Sequence, residues 1–342
     1  MHHTTDNRPA VLLAMAPGIA GRLLTDAHRA RLTALARTDP HLVAHDLAAP
    51  PPPVAAALAE AEVLFTCWGA TPLTAAVLDR APRLRAVVHA AGSVKHHVTD
   101  ACWERGITVA SAAAANALPV AEYTLATILL AGKRVLRAAQ RYAELRADHD
   151  WLTELADSGN HRRTVGIVGA SRIGRRVMEL LRPFDVQVLL YDPYVTPDEA
   201  AGLGAVPATL DELCARADIV SVHAPQLPST HHMIGAPQLA LMPDGATLIN
   251  TSRGSLIDET ALLAHLTSGR LNAVLDVTDP ELPPPDSPLY TLPNVLLTPH
   301  IAGSLGNELH RMADHALDEL ERYGRGAPFA DPVRPWELNR SA

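Results

Sequence analysis

Short apolar runs recur along the whole chain, each followed by a stretch with helical spacing. The first half carries VLLAM (11–15), HLVAHDL (41–47), VLFTCW (63–68), LRAVVHA (84–90) and ITVASA (107–112). Helix-like patterns sit between them, as at 21–37 and 72–80. The second half carries TVGIVG (164–169), VQVLLYD (186–192), DIVSVHA (218–224), ATLINTS (246–252), NAVLDVT (272–278) and NVLLTP (294–299). These runs lack strict apolar–polar alternation, which is how strands covered on both faces read. Strand and helix alternating throughout predict an α/β protein with a parallel sheet in each half.

Two longer helical patterns frame this alternation. One spans 118–145, with Asn116 as a cap, Pro119 in the first turn and Glu122 favouring the positive end of the dipole. The other spans 304–323, with Leu305, Leu309, Met312, Ala316 and Leu320 on one face and Gly324 as the stop. A chain that ends in a long helix after its last strand can return to its first domain. The prolines at 50–53 and 283–285 read as rigid loops.

Composition narrows the possibilities. A chain of 342 residues has the length of about two domains. Its formal net charge of −8 argues against a nucleic-acid partner, which needs clustered Lys and Arg. Hydrophobic residues make up 48% and aromatics only 4%, so Ala, Val, Leu and Ile must build the core. Cys67, Cys102 and Cys214 are too scattered for a disulfide framework or a zinc site, which suits a reducing compartment. The start MHHTTDNRPA lacks a basic-plus-apolar leader pattern, and His2-His3 read as a frayed terminus. The longest apolar stretch, near 123–131, falls short of the ~20 residues of a membrane span. The expectation is a cytoplasmic protein with no membrane partner.

Chemistry enters at TVGIVGASRIGRR (164–176). A strand runs into Gly169-Ala170-Ser171-Arg172-Ile173-Gly174 and a helix follows, the context of a dinucleotide fingerprint. Gly169 permits the tight turn and Gly174 lets helix pack on strand, whereas Ser171 stands where a glycine usually lets backbone approach the pyrophosphate. The hydroxyl of Ser171 can donate to the phosphate its Cβ crowds. A strand–helix turn without a ligand would share this pattern, but the next strand ends in Asp192, 192 − 174 = 18 residues after the last glycine. An acid there accepts from a ribose 2′-OH and repels a 2′-phosphate, so NAD is expected over NADP.

Three later strands each end near one polar group: Arg253 in NTSRGSLIDE (250–259), Glu281 in DVTDPE (276–281) and His300 in TPHIAG (298–303). Ligands bind at the carboxyl ends of strands in open α/β sheets. Singly these are a surface charge, a loop acid and a packed ring; behind a dinucleotide fingerprint they suit reaction at a carbonyl. An Arg can hold a 2-keto acid's carboxylate bidentately and polarise its carbonyl. A His can supply a proton as imidazolium, and a Glu on its other nitrogen can orient the ring and favour that form. No spacing among His96-His97 or His231-His232 suits a metal.

The chain resembles the D-isomer-specific 2-hydroxyacid dehydrogenases. The resemblance rests on GASRIG with Asp192, INTSRGSLIDETAL (249–262), LDVTDPE (275–281), PNVLLTPHIAGS (293–304) and ANALPVAE (115–122), and covers about residues 80–305. It implies two doubly wound parallel-sheet domains: a Rossmann NAD-binding domain (118–303) inserted into a flavodoxin-like substrate domain (1–117 and 304–342). It puts the catalytic Arg, Glu and His on Arg253, Glu281 and His300. Cofactor contacts fall on Gly169, Ser171, Arg172, Ile173, Gly174 and Asp192, with Thr251, Ser252, Arg253 and Asp276 beside the nicotinamide and His300 to Gly303 closing the site. It also implies a homodimer held largely through the nucleotide domain and its long helix. Pocket residues are expected from the N-terminal domain and from the region 142–151, which either this chain or the partner subunit contributes.

In the family a glycine-rich turn after the fourth strand offers amides to the substrate carboxylate. Here that turn reads AGSVK (91–95), which puts the donors at Ser93 and Val94; Lys95 either adds charge to the anion site or points to water. The expected substrate is a small 2-keto or 2-hydroxy acid of the D series, its side chain left open. A phosphite-dehydrogenase-like enzyme and a non-enzymatic NAD sensor resembling the C-terminal-binding co-repressors are the alternatives. Glu281 stands where formate dehydrogenases have Gln, which argues against that activity.

Overall fold

The structure is a computed structural model that describes residues 6–338, so His2 and His3 lie outside the described residues. The chain divides into two compact units, one running to Asn116 and resuming at Ser304, the other spanning Ala117–Gly303. The first segment holds β1 (Val11–Ala14), β2 (Val43–Ala44), β3 (Val63–Thr66), β4 (Ala86–His89) and β5 (Thr108–Ser111). The second unit holds β6 (Thr164–Val168), β7 (Gln187–Tyr191), β8 (Val206–Pro207), β9 (Ile219–Val222), β10 (Thr247–Asn250), β11 (Asn272–Leu275) and β12 (Val295–Leu297). After the returning helix Leu309–Gly324 comes β13 (Pro332–Val333).

The first sheet runs β13-β5-β4-β3-β1-β2 and the second β12-β11-β10-β9-β6-β7-β8. Read from β2, the first has the flavodoxin-like order 2-1-3-4-5; the second has the Rossmann order extended by one strand. All pairs are parallel except β13 on β5. Each sheet is covered on both faces, as the continuous apolar runs require. Val11 and Leu13 of β1 enter one core, with Phe65 and the returning helix's Met312 and Leu320, while Leu12 enters another with Leu58 and Leu78. Likewise Val165 and Ile167 of β6 pack with Val177 and Leu181, and Val168 with Leu213 and Leu248.

The long helices differ from the pattern read along the chain. The pattern at 118–145 is two helices, Ala113–Gly132 and Val135–Leu145, broken at Arg134 (φ 54°). Arg134 is drawn out of helical geometry by its guanidinium, which bonds the Gly245 carbonyl and Asp157. The first helix starts earlier than expected because the alanines from 113 are strong helix formers. Asn116 is therefore no cap; its Oδ1 accepts from the Ser304 amide at 3.0 Å. Pro119 sits inside the helix, where its missing N–H gives up one bond. By length and composition this helix could cross a membrane, contrary to the shorter apolar stretch read from sequence; 44% of its most apolar window is buried. Ala121 and Ile128 pack it onto β6 and the helix Arg172–Leu181. At the far end, Leu305 is half exposed, whereas Leu309, Met312, Ala316 and Leu320 are buried as expected.

The edge strands β8 and β13, two residues each, were illegible in the pattern. The chain leading into β13 is held by buried Glu319, whose Oε2 accepts from the Ala330 amide (2.9 Å) and Oε1 from the Asp331 amide (2.7 Å). No metal-ligating spacing stood out in the sequence, yet His315, Glu319 and Asp331 bring one ligand atom each within 4.8 Å of one another. In this structure their bonds tie down the chain after the helix Leu309–Gly324.

Candidate active site

The fingerprint turn is built by close approach. Gly169 has φ +99°, and a Cβ on Gly174 would lie 2.1 Å from the Gly169 carbonyl oxygen, so only glycine allows the helix Arg172–Leu181 to start there. Ser171 is that helix's N-cap: its backbone is extended (φ −63°, ψ 178°) and its Oγ accepts from the Gly174 amide at 3.3 Å. The serine thus fits without strain and has work inside the protein, while its hydroxyl hydrogen stays available to an acceptor. The amides of Ser171 and Ile173 have no partner among the described residues. Open amides at the start of a ten-residue helix suit a pyrophosphate.

Asp192, just after β7, spends both oxygens on the same neighbourhood. Oδ2 accepts from the Ala170 amide at 2.7 Å and Oδ1 from the Tyr194 amide at 2.8 Å. Each oxygen keeps a second lone pair for a ribose hydroxyl. The carboxylate is therefore also a brace for the turn, a role its spacing in the sequence did not reveal.

Three loops at the carboxyl ends of β10, β11 and β12 carry the polar groups. After β10, fully buried Asn250 shapes the loop: its Nδ2 donates to the Arg253 carbonyl (2.8 Å) and its Oδ1 accepts from the Ser252 amide (3.0 Å). Sequence reasoning passed over Asn250, although Asn at a strand end commonly organises a turn. Thr251 and Ser252 are buried, and Thr251 Oγ1 lies 3.0 Å from Thr124 Oγ1. Arg253 Nη1 donates to the Ser252 carbonyl at 2.6 Å. Burial pulls its guanidinium below its ordinary value, and the charge of Glu281 opposes that shift.

After β11, the buried Asp276 turns inward. Its Oδ1 accepts from Thr298 Oγ1 (2.6 Å) and the Ile301 amide (2.8 Å), and its Oδ2 from the Ala302 amide (2.8 Å). Tyr123 extends this network to Thr298 at 2.9 Å. These bonds fix the loop that follows β12. There His300 adopts φ 54°, held by its amide's bonds to the carbonyls of Asp276 (2.9 Å) and Thr298 (3.0 Å). A left-handed non-glycine costs about 1 kcal/mol or more and persists where surrounding bonds impose it. The posture sets His300 Nδ1 2.5 Å from Glu281 Oε1. A carboxylate can only accept, so Nδ1 carries the proton, and Nε2 has no partner among the described residues. Both side chains are about half exposed, so the pair contributes orientation far more than stability.

Ser93 and Val94 lie in the other unit, in the turn after β4, with Val94 buried and Lys95 exposed. Cys67, Cys102 and Cys214 are all buried and unpaired.

Residues 126–302 match the D-isomer specific 2-hydroxyacid dehydrogenase family's NAD binding domain. The chain is 34% identical over 297 residues to a glyoxylate/hydroxypyruvate reductase B of Yersinia enterocolitica, covering 85% of this chain and 89% of that one. The chain belongs to the D-isomer specific 2-hydroxyacid dehydrogenase family. It is also 40% identical over 280 residues to a D-3-phosphoglycerate dehydrogenase of Mycobacterium bovis, covering 81% of this chain and 52% of that protein. It thus spans about half the length of the D-3-phosphoglycerate dehydrogenases it matches. Among solved 2-hydroxyacid dehydrogenases, the D-lactate dehydrogenase of Aquifex aeolicus in complex with NAD and lactic acid superposes with a TM-score of 0.69 at 29% identity, covering 92% of this chain and 96% of that one. For this family member the second unit is the NAD-binding domain, and the open helix start, the turn at Gly169 and the Asp192 carboxylate fit the cofactor.

Proposed function

We propose that the chain is an NAD-dependent 2-hydroxyacid dehydrogenase that interconverts a small 2-keto acid and the corresponding D-2-hydroxy acid. The observation that carries this reading is the Glu281–His300 pair at 2.5 Å, set beside the half-buried Arg253 in the unit that binds NAD. In this reading residues 118–303 are the nucleotide part, and 1–117 with 304–342 the substrate part.

When bound, the cofactor gives or takes the hydride. Arg253 would grip the substrate carboxylate and polarise the carbonyl, its reduced solvation strengthening both contacts. His300 would pass a proton from Nε2 to the substrate oxygen in reduction and accept it in oxidation. Glu281 would hold the ring by Nδ1 and so orient it toward the substrate oxygen. Ser93 and Val94 would offer amides to the substrate carboxylate. Ser171, Arg172 and Ile173 would meet the pyrophosphate and Asp192 the ribose, with Gly169 and Gly174 shaping the turn; Thr251, Ser252, Asp276 and Gly303 would line or support the nicotinamide end.

The working form in this reading is a homodimer. The helix Val135–Leu145 buries none of its residues, and Tyr142 and Leu152 are 63% and 89% exposed, an apolar face that a second copy would cover. We assign the protein to the cytoplasm on its three unpaired cysteines.

The test is NADH oxidation with glyoxylate, hydroxypyruvate, 3-phosphohydroxypyruvate and pyruvate, with chiral analysis of the product. Saturable turnover of at least one acid to a D-product is expected. NADH binding with no turnover of any 2-keto acid would instead favour a sensor.

A further inference from the structure

One short segment, 276–281, holds His300 from both of its ends. At its start the Asp276 carbonyl accepts from the His300 amide at 2.9 Å, which ties the His300 backbone to the end of β11. At its far end stands Glu281, whose Oε1 lies 2.5 Å from His300 Nδ1. The spacing of these two anchors is set by the fold of the residues between them. A shift of that turn therefore moves the carboxylate relative to the ring.

Thr278 stands in the middle of the segment and is 5% exposed. Its Oγ1 donates to the Pro280 carbonyl at 2.9 Å and to the Glu281 carbonyl at 3.1 Å. A hydroxyl has one hydrogen, so the two carbonyls share it in a three-centre bond. Among the described residues no backbone amide donates to either carbonyl, so the side chain does here what a turn's own backbone usually does. The base of the segment is fixed as well. Glu259 Oε2 accepts from the Asp279 amide at 3.3 Å. The Thr278 backbone rests against the loop that carries Arg253: a Cβ on Gly254 would lie 2.1 Å from the Thr278 carbonyl oxygen. Thr278 is thus anchored behind and reaches forward to Glu281. Residues 279–282 are exposed, so water can satisfy both carbonyls if the hydroxyl is removed. The bond therefore matters for the placement of Glu281 more than for the folding of the unit.

We propose that Thr278 is a positioning residue, its hydroxyl holding the backbone of Pro280 and Glu281 so that the Glu281 carboxylate stays on His300 Nδ1. This rests on the function proposed above.

The experiment compares Thr278→Val, Thr278→Ala and Thr278→Ser in steady-state reduction of glyoxylate and hydroxypyruvate, with NADH affinity and Tm measured in parallel. Thr278→Val keeps the shape and loses the hydroxyl; its kcat should fall about tenfold, the order expected when an orienting group is slightly misplaced. KM for the acid and affinity for NADH should stay within about twofold. Thr278→Ser restores the donor and should recover most of the kcat. Thr278→Ala also lacks the hydroxyl and decides the matter if Thr278→Val does not fold. The reading that separates positioning from general loosening is a double-mutant cycle. In a Glu281→Ala background there is no carboxylate to place, so Thr278→Val should lower kcat less than about twofold further. An unchanged kcat in a folded hydroxyl-free variant overturns the proposal. So does the same fold loss with and without Glu281, a Thr278→Ser as impaired as Thr278→Val, or failure of both hydroxyl-free variants to fold. A wild type that reduces no 2-keto acid removes the proposed function and this inference together, whereas an active wild type with unaffected variants removes only the inference.

Discussion

Both oxygens of Asp192 already accept backbone hydrogen bonds, from Ala170 and Tyr194, so substitutions there act on the turn as well as on the ribose. Asp192→Ser with Pro193→Arg removes the charge that repels a 2′-phosphate and supplies one that attracts it. The ratio of kcat/KM with NADPH to that with NADH should rise at least about tenfold, while affinity for both cofactors falls because the Ala170 amide loses its brace. A wild type that already prefers NADPH would contradict this reading of the loop. Two buried imidazole rings make stability depend on pH. Burial pushes His89 and His223 down to about 3, so both are neutral in the folded protein. An unfolded imidazole titrates near 6.5, so between these values the unfolded chain binds more protons and stability falls as pH falls. Urea midpoints at pH 7 and pH 5 should show this loss, and His223→Gln should reduce the difference. A pH-independent midpoint over that interval would contradict it.

At the scale of elements, the strands were legible because parallel strands covered on both faces must be continuous apolar runs, and most fell within a residue or two of their observed limits. What stayed hidden was set by distant contacts. Arg134 breaks the long helix through bonds to Gly245 and Asp157, and Glu319 holds the chain entering β13 through the amides of Ala330 and Asp331. No local pattern encodes such bonds. In the candidate site the charged groups were legible by type and spacing, whereas Asn250 and the bracing bonds of Asp276 became visible only once β10, β11 and β12 were side by side. The loop carrying Arg253 depends on one further contact. A Cβ on Gly254 would lie 2.0 Å from the Thr278 carbonyl carbon, an overlap with backbone that cannot be relieved by a rotamer change. Gly254→Ala should cost about 2 kcal/mol or more and lower Tm by roughly 5 °C. It should also reduce kcat/KM well beyond the loss of folded protein, because it shifts Arg253 and the Glu281 loop together. Calorimetry with kinetics on the folded fraction checks both.

For the whole molecule, the proposed homodimer would cover the unburied helix Val135–Leu145 and the exposed Tyr142 and Leu152 with a second copy. Light scattering should give twice the mass of the 36.5 kDa chain. Tyr142→Glu with Leu152→Glu should shift it to one chain by placing charge in the covered face. A wild-type monomer at micromolar concentration would contradict the dimer. In the proposed reaction this chain reduces a 2-keto acid with His300 as the proton donor, held by Glu281 at 2.5 Å. The most direct measurement is turnover of the best 2-keto acid by wild type and His300→Ala, alongside the Kd for NADH. Turnover should fall by ~10²–10⁴-fold, the usual worth of a positioned acid–base group, with Kd within about twofold of wild type. A folded His300→Ala protein that reduces the acid at a rate near wild type would contradict the mechanism.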